Sequence, residues 1–271
     1  MTPSIASLIV YPVKSCRGNA VESSAVTERG LQHDREWMIV DTTGRFVTQR
    51  ELPRLALIEP AVTGRSLLMR APGMPQLEIA LDLRGAVARA TVWRDTLAVR
   101  DQGDEPAAWL SSYLDVAVRL VRFDGQTRRY CNPEYVGTSG AHTGFADGYP
   151  LLILSGASLD DLNRRLAEPL PIDRFRPNIV LAGVEAYDED YIAEIECGPV
   201  KLKLVKACTR CRITTTDQST ATVGIEPLAT LASYRHNRAL DGATFGMNGI
   251  VTAGFGHELA CDSALNCAMS F

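Results

Sequence analysis

Apolar and polar residues alternate with a period of two in short runs that glycine or proline cuts off, which restricts this chain to folds built from short strands. Ile5 to Val13 alternates in this way and closes on Tyr11-Pro12-Val13-Lys14-Ser15-Cys16-Arg17-Gly18. Pro12 and Gly18 punctuate a turn there that presents Lys14 and Ser15. Gly30 to Asp41 runs through Thr42-Thr43-Gly44 into Arg45 to Arg50, a hairpin signal centred on Gly44. Further short strands fall between Ala56 and Ile79, broken by Gly64 and Pro72-Gly73, and between Ala88 and Val99. The cleanest alternation is Val200-Lys201-Leu202-Lys203-Leu204-Val205, and Ile213 to Thr216 is extended again by propensity.

Helices are few. Asp104-Glu105-Pro106 offers an N-cap candidate and an early proline for a helix through Tyr113. Ser158, with Asp161 three residues on, predicts a second helix over Leu159 to Leu166. Glu226-Pro227 opens a third, with Leu228, Leu231 and Tyr234 at helical spacing. Thr127 to Ala146 is polar and without periodicity, and reads as a long exposed loop. The expected fold class is therefore mainly β with a few helices, α+β, with a soft boundary near residues 115–125.

A chain of 271 residues allows one large domain or two small ones, and 46% hydrophobic against 22% charged residues suffices for a full core. The net charge of -4 argues against a general nucleic-acid surface, so any basic site must be local. No apolar run approaches the ~20 residues of a membrane span, and the first residues lack the charged region of a signal peptide. The expectation is a cytoplasmic protein with neither a membrane nor a nucleic-acid partner. Seven scattered cysteines, an odd number, suit a reducing compartment better than a disulfide framework.

Cys208 and Cys211 stand two residues apart, in what reads as a tight connection between strands, with Lys206, Arg210 and Arg212 beside them. A thiol among cations ionises readily and is suited to binding a metal or attacking an electrophile, and the cations favour an anionic occupant. Structural zinc would want a second ligand pair, and Cys261 with Cys267 is a poor match in spacing. A thioredoxin-like redox pair would want a helix N-terminus. Two ordinary loop cysteines would leave the cations unexplained. Arg176-Pro177-Asn178 precedes the apolar run Ile179-Val180-Leu181, and Lys14-Ser15 ends another strand, so these groups are placed to converge on a phosphate. Taken singly, Lys14, Arg35, Arg176 and Arg210 read as surface charges. His33, His142, His236 and His257 show no paired metal-ligand spacing, and no GxGxxG, P-loop or nucleophile elbow occurs.

Together, Tyr11 to Cys16, Arg35-Glu36-Trp37-Met38, Thr48-Gln49-Arg50, Gly144 to Pro150, Leu154 to Leu159, Phe175-Arg176-Pro177-Asn178 and Cys208-Thr209-Arg210-Cys211 resemble the MOSC family, the molybdenum-cofactor sulfurase C-terminal domain proteins. The resemblance covers nearly the whole chain. It implies an N-terminal MOSC β-barrel module over residues 1–120 and a MOSC-type β-barrel over 121–271, most similar to the amidoxime-reducing branch that reduces N-hydroxylated compounds. It also implies a molybdenum cofactor, a molybdopterin with one metal per chain, ligated by the second motif cysteine, Cys211. Lys14, Ser15, Arg35, Arg176, Asn178, Thr209 and Arg210 would grip the pterin and its phosphate. Ser155, Asp147 and Tyr149 would lie near the pocket mouth, with Asp147 assisting protonation. Electrons would come from a separate ferredoxin- or flavin-type donor. The rival is a carrier that holds a persulfide on Cys211 or delivers the cofactor. Where the family pattern has a glycine after the motif's aspartate, this chain has Ala221, so that turn is expected to differ.

Overall fold

The computed structural model describes residues 2–82 and 85–270. Its centre is a nine-stranded sheet in which Ser4–Val10, from the start of the chain, lies between Asn19–Val21 and Ile179–Ala182. The order continues through Leu151–Ser155, Gly242–Ala253, Val200–Thr209, Ile192–Cys197 and Asn266–Met269, and the ninth strand, His236–Asn237, pairs with Gly242–Ala253 off this path. Leu151–Ser155 and Ile179–Ala182 run parallel, and the helix Gly156–Asn163 lies in the connection between them, as a parallel pair requires. A four-stranded antiparallel sheet, Trp37–Asp41, Val118–Phe123, Asp95–Asp101 and Val87–Val92, forms a second layer. Glu59–Thr63, Ser66–Arg70 and Leu77–Ala80 form a small meander. Strand dominates and helices are few, as the alternation requires.

The period-two runs bury the faces expected of them. In Val200–Thr209, Val200, Leu202 and Leu204 are buried and Lys201 and Lys203 exposed. Each such aliphatic side chain contributes about 1.5–3 kcal/mol when removed from water, and all three join one core with Ile5, Leu8, Ile153 and Leu181. This common core seats Ser4–Val10 against the later strands, so the turn after it, with Lys14 and Ser15, is delivered to the same end of the sheet as Arg176.

Four local readings are corrected. Ile213 to Thr216 is not a strand: Arg212–Thr215 is a 3-10 turn. The Thr214 and Thr215 hydroxyls donate to the carbonyls of Cys211 and Arg212 at 3.0 and 2.8 Å, and this local satisfaction overrides β propensity. The second helix begins at Gly156, because Ser155 is its cap and accepts from the Ser158 N–H at 3.0 Å, while Asp161 pairs with Arg164 and Arg165. Asp104 is the first helical residue of Asp104–Leu114 rather than its cap, and binds Arg119 at 2.9 Å. Residues 127–146 contain a short strand pair, Arg129–Tyr130 with His142–Thr143, and the turn of helix Pro133–Val136.

Candidate functional site

The turns at the ends of these strands enclose a cleft of about 140 Å³. Lys14, Ser15, Arg35, Arg176, Asn178, Thr209, Arg210, Cys211, Asp147 and Tyr149 all line it, as does Cys208. It adjoins an outer cavity of about 990 Å³ that shares Asp147, Gly148, Tyr149, Cys208, Thr209 and Asn248 with it. Ser155 is the residue that the fold keeps away from the cleft. It is fully buried, with its hydroxyl 2.7 Å from that of Ser158 and its N–H donating to Glu189, so its oxygen is spent on capping a helix.

The backbone here is held in an unusual form. Ser15, Arg35 and Arg176 have φ of 67°, 46° and 57°, a left-handed conformation that side-chain-bearing residues rarely adopt. Such conformations cost on the order of 1–3 kcal/mol each and persist where the surroundings over-determine them, most often at functional sites. The over-determination is visible: Arg35 donates to Asp34 at 2.6 Å, to the side-chain carbonyl of Asn178 at 3.1 Å and to the Arg176 carbonyl at 3.2 Å. Asn178 also accepts from the Leu152 N–H at 3.1 Å and donates to the Ile9 carbonyl at 3.2 Å. Its amide therefore acts on the cleft through Arg35.

Charge pairing divides the cations of the cleft into two kinds. Lys14 donates to the Phe145 carbonyl at 2.8 Å and to Asp147 at 2.5 Å. Burial lowers the Lys14 ammonium from its ordinary value, and Asp147 offsets only part of that. Burial opposes ionisation of Asp147, but the Lys14 charge and hydrogen bond, the Trp93 N–H and Arg50 outweigh it, and the carboxyl is held well below the usual carboxylate range. Asp147 is therefore held as an anion, a poorer proton donor than a part in protonation would want. It anchors Lys14 instead. Arg35 is likewise neutralised by Asp34. Arg176 and Arg210, in contrast, have no carboxylate within ion-pair distance among the described residues. Arg176 is 9% exposed and lies 4.3 Å over the Tyr11 ring, and among the described residues its guanidinium has only a 3.5 Å contact to Gln218. Burial without a counter-ion pushes its guanidinium down from its ordinary value. Arg210 reaches the Phe175 carbonyl at 2.6 Å and Cys208 Sγ at 2.9 Å, and its buried Nε has no partner. Buried charges are ordinarily paired, so two unpaired guanidiniums in one cleft are matched to an anion.

The two cysteines differ in setting. Cys208 is half-buried in the last residues of Val200–Thr209, whereas Cys211 is exposed at the rim, 3.7 Å from Arg50 Nη1. Two groups, with Arg129 and Gln218 the members to which the sequence reading gave no part, hold the rim. Arg129, buried, donates to the carbonyls of Gly144 and Ala146 at 2.6 and 2.8 Å and to Asp95 at 2.9 Å, fixing the Asp147 segment. Gln49 and Gln218, buried, exchange two reciprocal amide hydrogen bonds of 3.0 Å, and Gln49 also donates to the Ser15 carbonyl at 2.7 Å. That pair joins the Thr48-Gln49-Arg50 segment to the loop following Cys211. No signal in the chain marks Arg129 or Gln218 for these parts.

Among the described residues no three His, Cys, Asp or Glu side chains are grouped to hold a metal. A metal at this cleft would have a thiolate from the protein and draw its other ligands from a bound group. An exposed soft thiol beside unpaired guanidiniums fits an anionic organic cofactor that brings its own metal ligands.

Asp217 secures the loop by accepting from the N–H groups of Ser219 and Thr220 at 2.8 and 3.0 Å and binding Arg174 at 2.9 Å. The turn that follows places Ala221 at φ 61°. Ala221→Gly is therefore expected to relieve left-handed strain and stabilise the fold by about 1 kcal/mol after the entropy that glycine adds to the unfolded chain. A thermal melt should show a midpoint raised by about 2–4 °C.

The MOSC N-terminal beta barrel domain family matches residues 2–117, and the MOSC domain family matches residues 141–256. Human mitochondrial amidoxime-reducing component 1 is 38% identical over 243 residues, covering 86% of this chain and 72% of that protein. Rat mitochondrial amidoxime reducing component 2 is 36% identical over 244 residues, with the same coverage of 86% and 72%. The bovine component 2 is 37% identical over 242 residues, again covering 86% and 72%.

Proposed function

The chain belongs to the MOSC family, and from that premise we propose that it is an oxidoreductase that reduces N-hydroxylated compounds at a molybdopterin-type molybdenum cofactor, with electrons from a separate ferredoxin- or flavin-type protein. The observation that carries this reading is the exposed Cys211 thiol beside a cleft whose Arg176 and Arg210 lack counter-ions. The names of the relatives, amidoxime-reducing components, supply the reaction class. Seven unpaired cysteines support a reducing, cytoplasmic setting, and no helix among the described residues is long and apolar enough to cross a membrane.

Cys211 would be the protein's ligand to the metal, and Arg176, Arg210, Ser15 and Thr209 would bind the anionic pterin and phosphate, with Arg35 held in place by Asn178. When bound, such a group supplies two-electron reduction of an N–O bond. The net change is R–NH–OH plus two electrons and two protons to R–NH2 plus water. Lys14 bears the proton chemistry that the chain itself offers. Its buried ammonium is lowered from its ordinary value, so it releases a proton more readily than a surface lysine, and ionised Asp147 holds Nζ at the cleft. The segment Gly144 to Asp147, braced by Arg129, forms one side of the cleft.

Elemental analysis of the purified protein, paired with turnover of benzamidoxime under a chemical reductant, tests the reading. About one molybdenum per chain with formation of benzamidine is expected. A sulfur adduct on Cys211 without metal or turnover would reassign the protein as a carrier.

A further inference from the structure

We propose that the outer cavity is a binding subsite for planar aromatic compounds bearing a negative charge, so that the enzyme favours anionic aromatic N-hydroxylated substrates; the substrate part of this rests on the function proposed above. At about 990 Å³ the cavity is at the upper end of the size range for small-molecule sites. It shares Asp147, Cys208 and Thr209 with the inner cleft, so an occupant lies next to the cysteine loop.

Two observations define the occupant. The first is aromatic. Trp93 and Tyr130 line the cavity while 48% and 65% exposed, two large rings left in water on a concave wall where a flat ligand can stack. Trp93 also sits at φ 56° and donates from Nε1 to Asp147 at 3.2 Å, so a strained backbone aims the ring and ties it to the Lys14–Asp147 pair. The second is charge. Asp147, Asp95 and Glu51, the acids of this wall, are matched by Lys14, Arg129 and Arg45 at 2.5, 2.9 and 2.7 Å. Arg50, Arg94 and Lys206 remain without an ion pair among the described residues. A local positive surplus on a chain of net charge -4 draws anions. Arg50 lies 4.9 Å from the Trp93 ring centre, which brings the cation and the stacking surface together. The concavity favours a small molecule over an acidic protein, which would need a broad accessible face.

Binding read by calorimetry tests this without turnover. The ligands are 4-carboxybenzamidoxime, benzamidoxime and 4-(aminomethyl)benzamidoxime, titrated into the full-length, cofactor-loaded protein at low and high salt. The carboxylate is expected to bind about tenfold tighter than the neutral compound at low salt and the ammonium weakest, with the spread shrinking at high salt. In an Arg94→Gln/Lys206→Gln double variant the order should collapse, whereas Trp93→Ala should weaken all three alike. Equal binding of the three, tightest binding of the ammonium, or an order unchanged in the double variant overturns the proposal. So does capture of an acidic redox protein, lost in the double variant while the three small ligands bind alike. If the order holds but no amidoxime is reduced, the subsite stands and the reaction assigned to the cleft fails.

Discussion

Cys211→Ser is expected to reduce benzamidoxime turnover to the background rate while leaving the protein folded. The side chain is exposed and among the described residues its one polar contact is a 3.7 Å approach of Arg50, so the fold loses little when sulfur becomes oxygen. Exposed substitutions of this kind shift stability by no more than about 0.5 kcal/mol. A serine hydroxyl is a harder ligand that stays protonated near neutral pH, so the metal centre proposed for the cleft would lose its thiolate anchor. Cys208→Ser is the control. Cys208 Sγ accepts from Arg210 at 2.9 Å, and a serine oxygen can accept from the same donor, so its loss should cost only several-fold. Melting curves, molybdenum content and initial rates of both variants decide the matter. Equal rates in Cys211→Ser and parent would overturn the metal-ligand role proposed for Cys211.

Arg176→Gln separates anion binding from stability. An unpaired, buried guanidinium costs several kcal/mol of desolvation that the Tyr11 contact at 4.3 Å returns only in part. Glutamine keeps most of the volume and removes the charge. The cofactor-free protein is thus expected to melt within about 2 °C of the parent or above it. Its affinity for a phosphate-bearing ligand should fall by at least about 30-fold, since losing a buried charged hydrogen-bonding partner costs 2–5 kcal/mol. Inorganic pyrophosphate serves as the probe in a thermal-shift titration. The parent's midpoint should climb with pyrophosphate and the variant's should not. A variant that melts many degrees lower yet keeps the pyrophosphate response would make Arg176 a structural cation instead.

What the chain alone determined was local in nature. Alternation in Val200 to Val205 and the apolar run Ile179 to Leu181 marked strands and their buried faces, because a strand's side chains alternate whatever it later pairs with. The positions of Lys14, Ser15, Arg176 and Asn178 at strand ends, and of two cysteines among cations, marked groups that could meet one ligand, and the fold brings them to one cleft. The 3-10 turn after Cys211 and the Ser155 helix cap are made by local hydrogen bonds that propensity and spacing did not reveal, whereas Asp147 as an anion was decided by a tertiary neighbour. So was the division of the cations into neutralised and free. Lys14 meets Asp147 across 133 positions, and Gln49 meets Gln218 across 169. Electrostatic pairing depends on distances in space, and no pattern along the chain encodes which carboxylate will reach which guanidinium. Residue types and their local spacing set what the cleft could hold, and packing of Ser4–Val10 into the later sheet set which charges it leaves free to hold it.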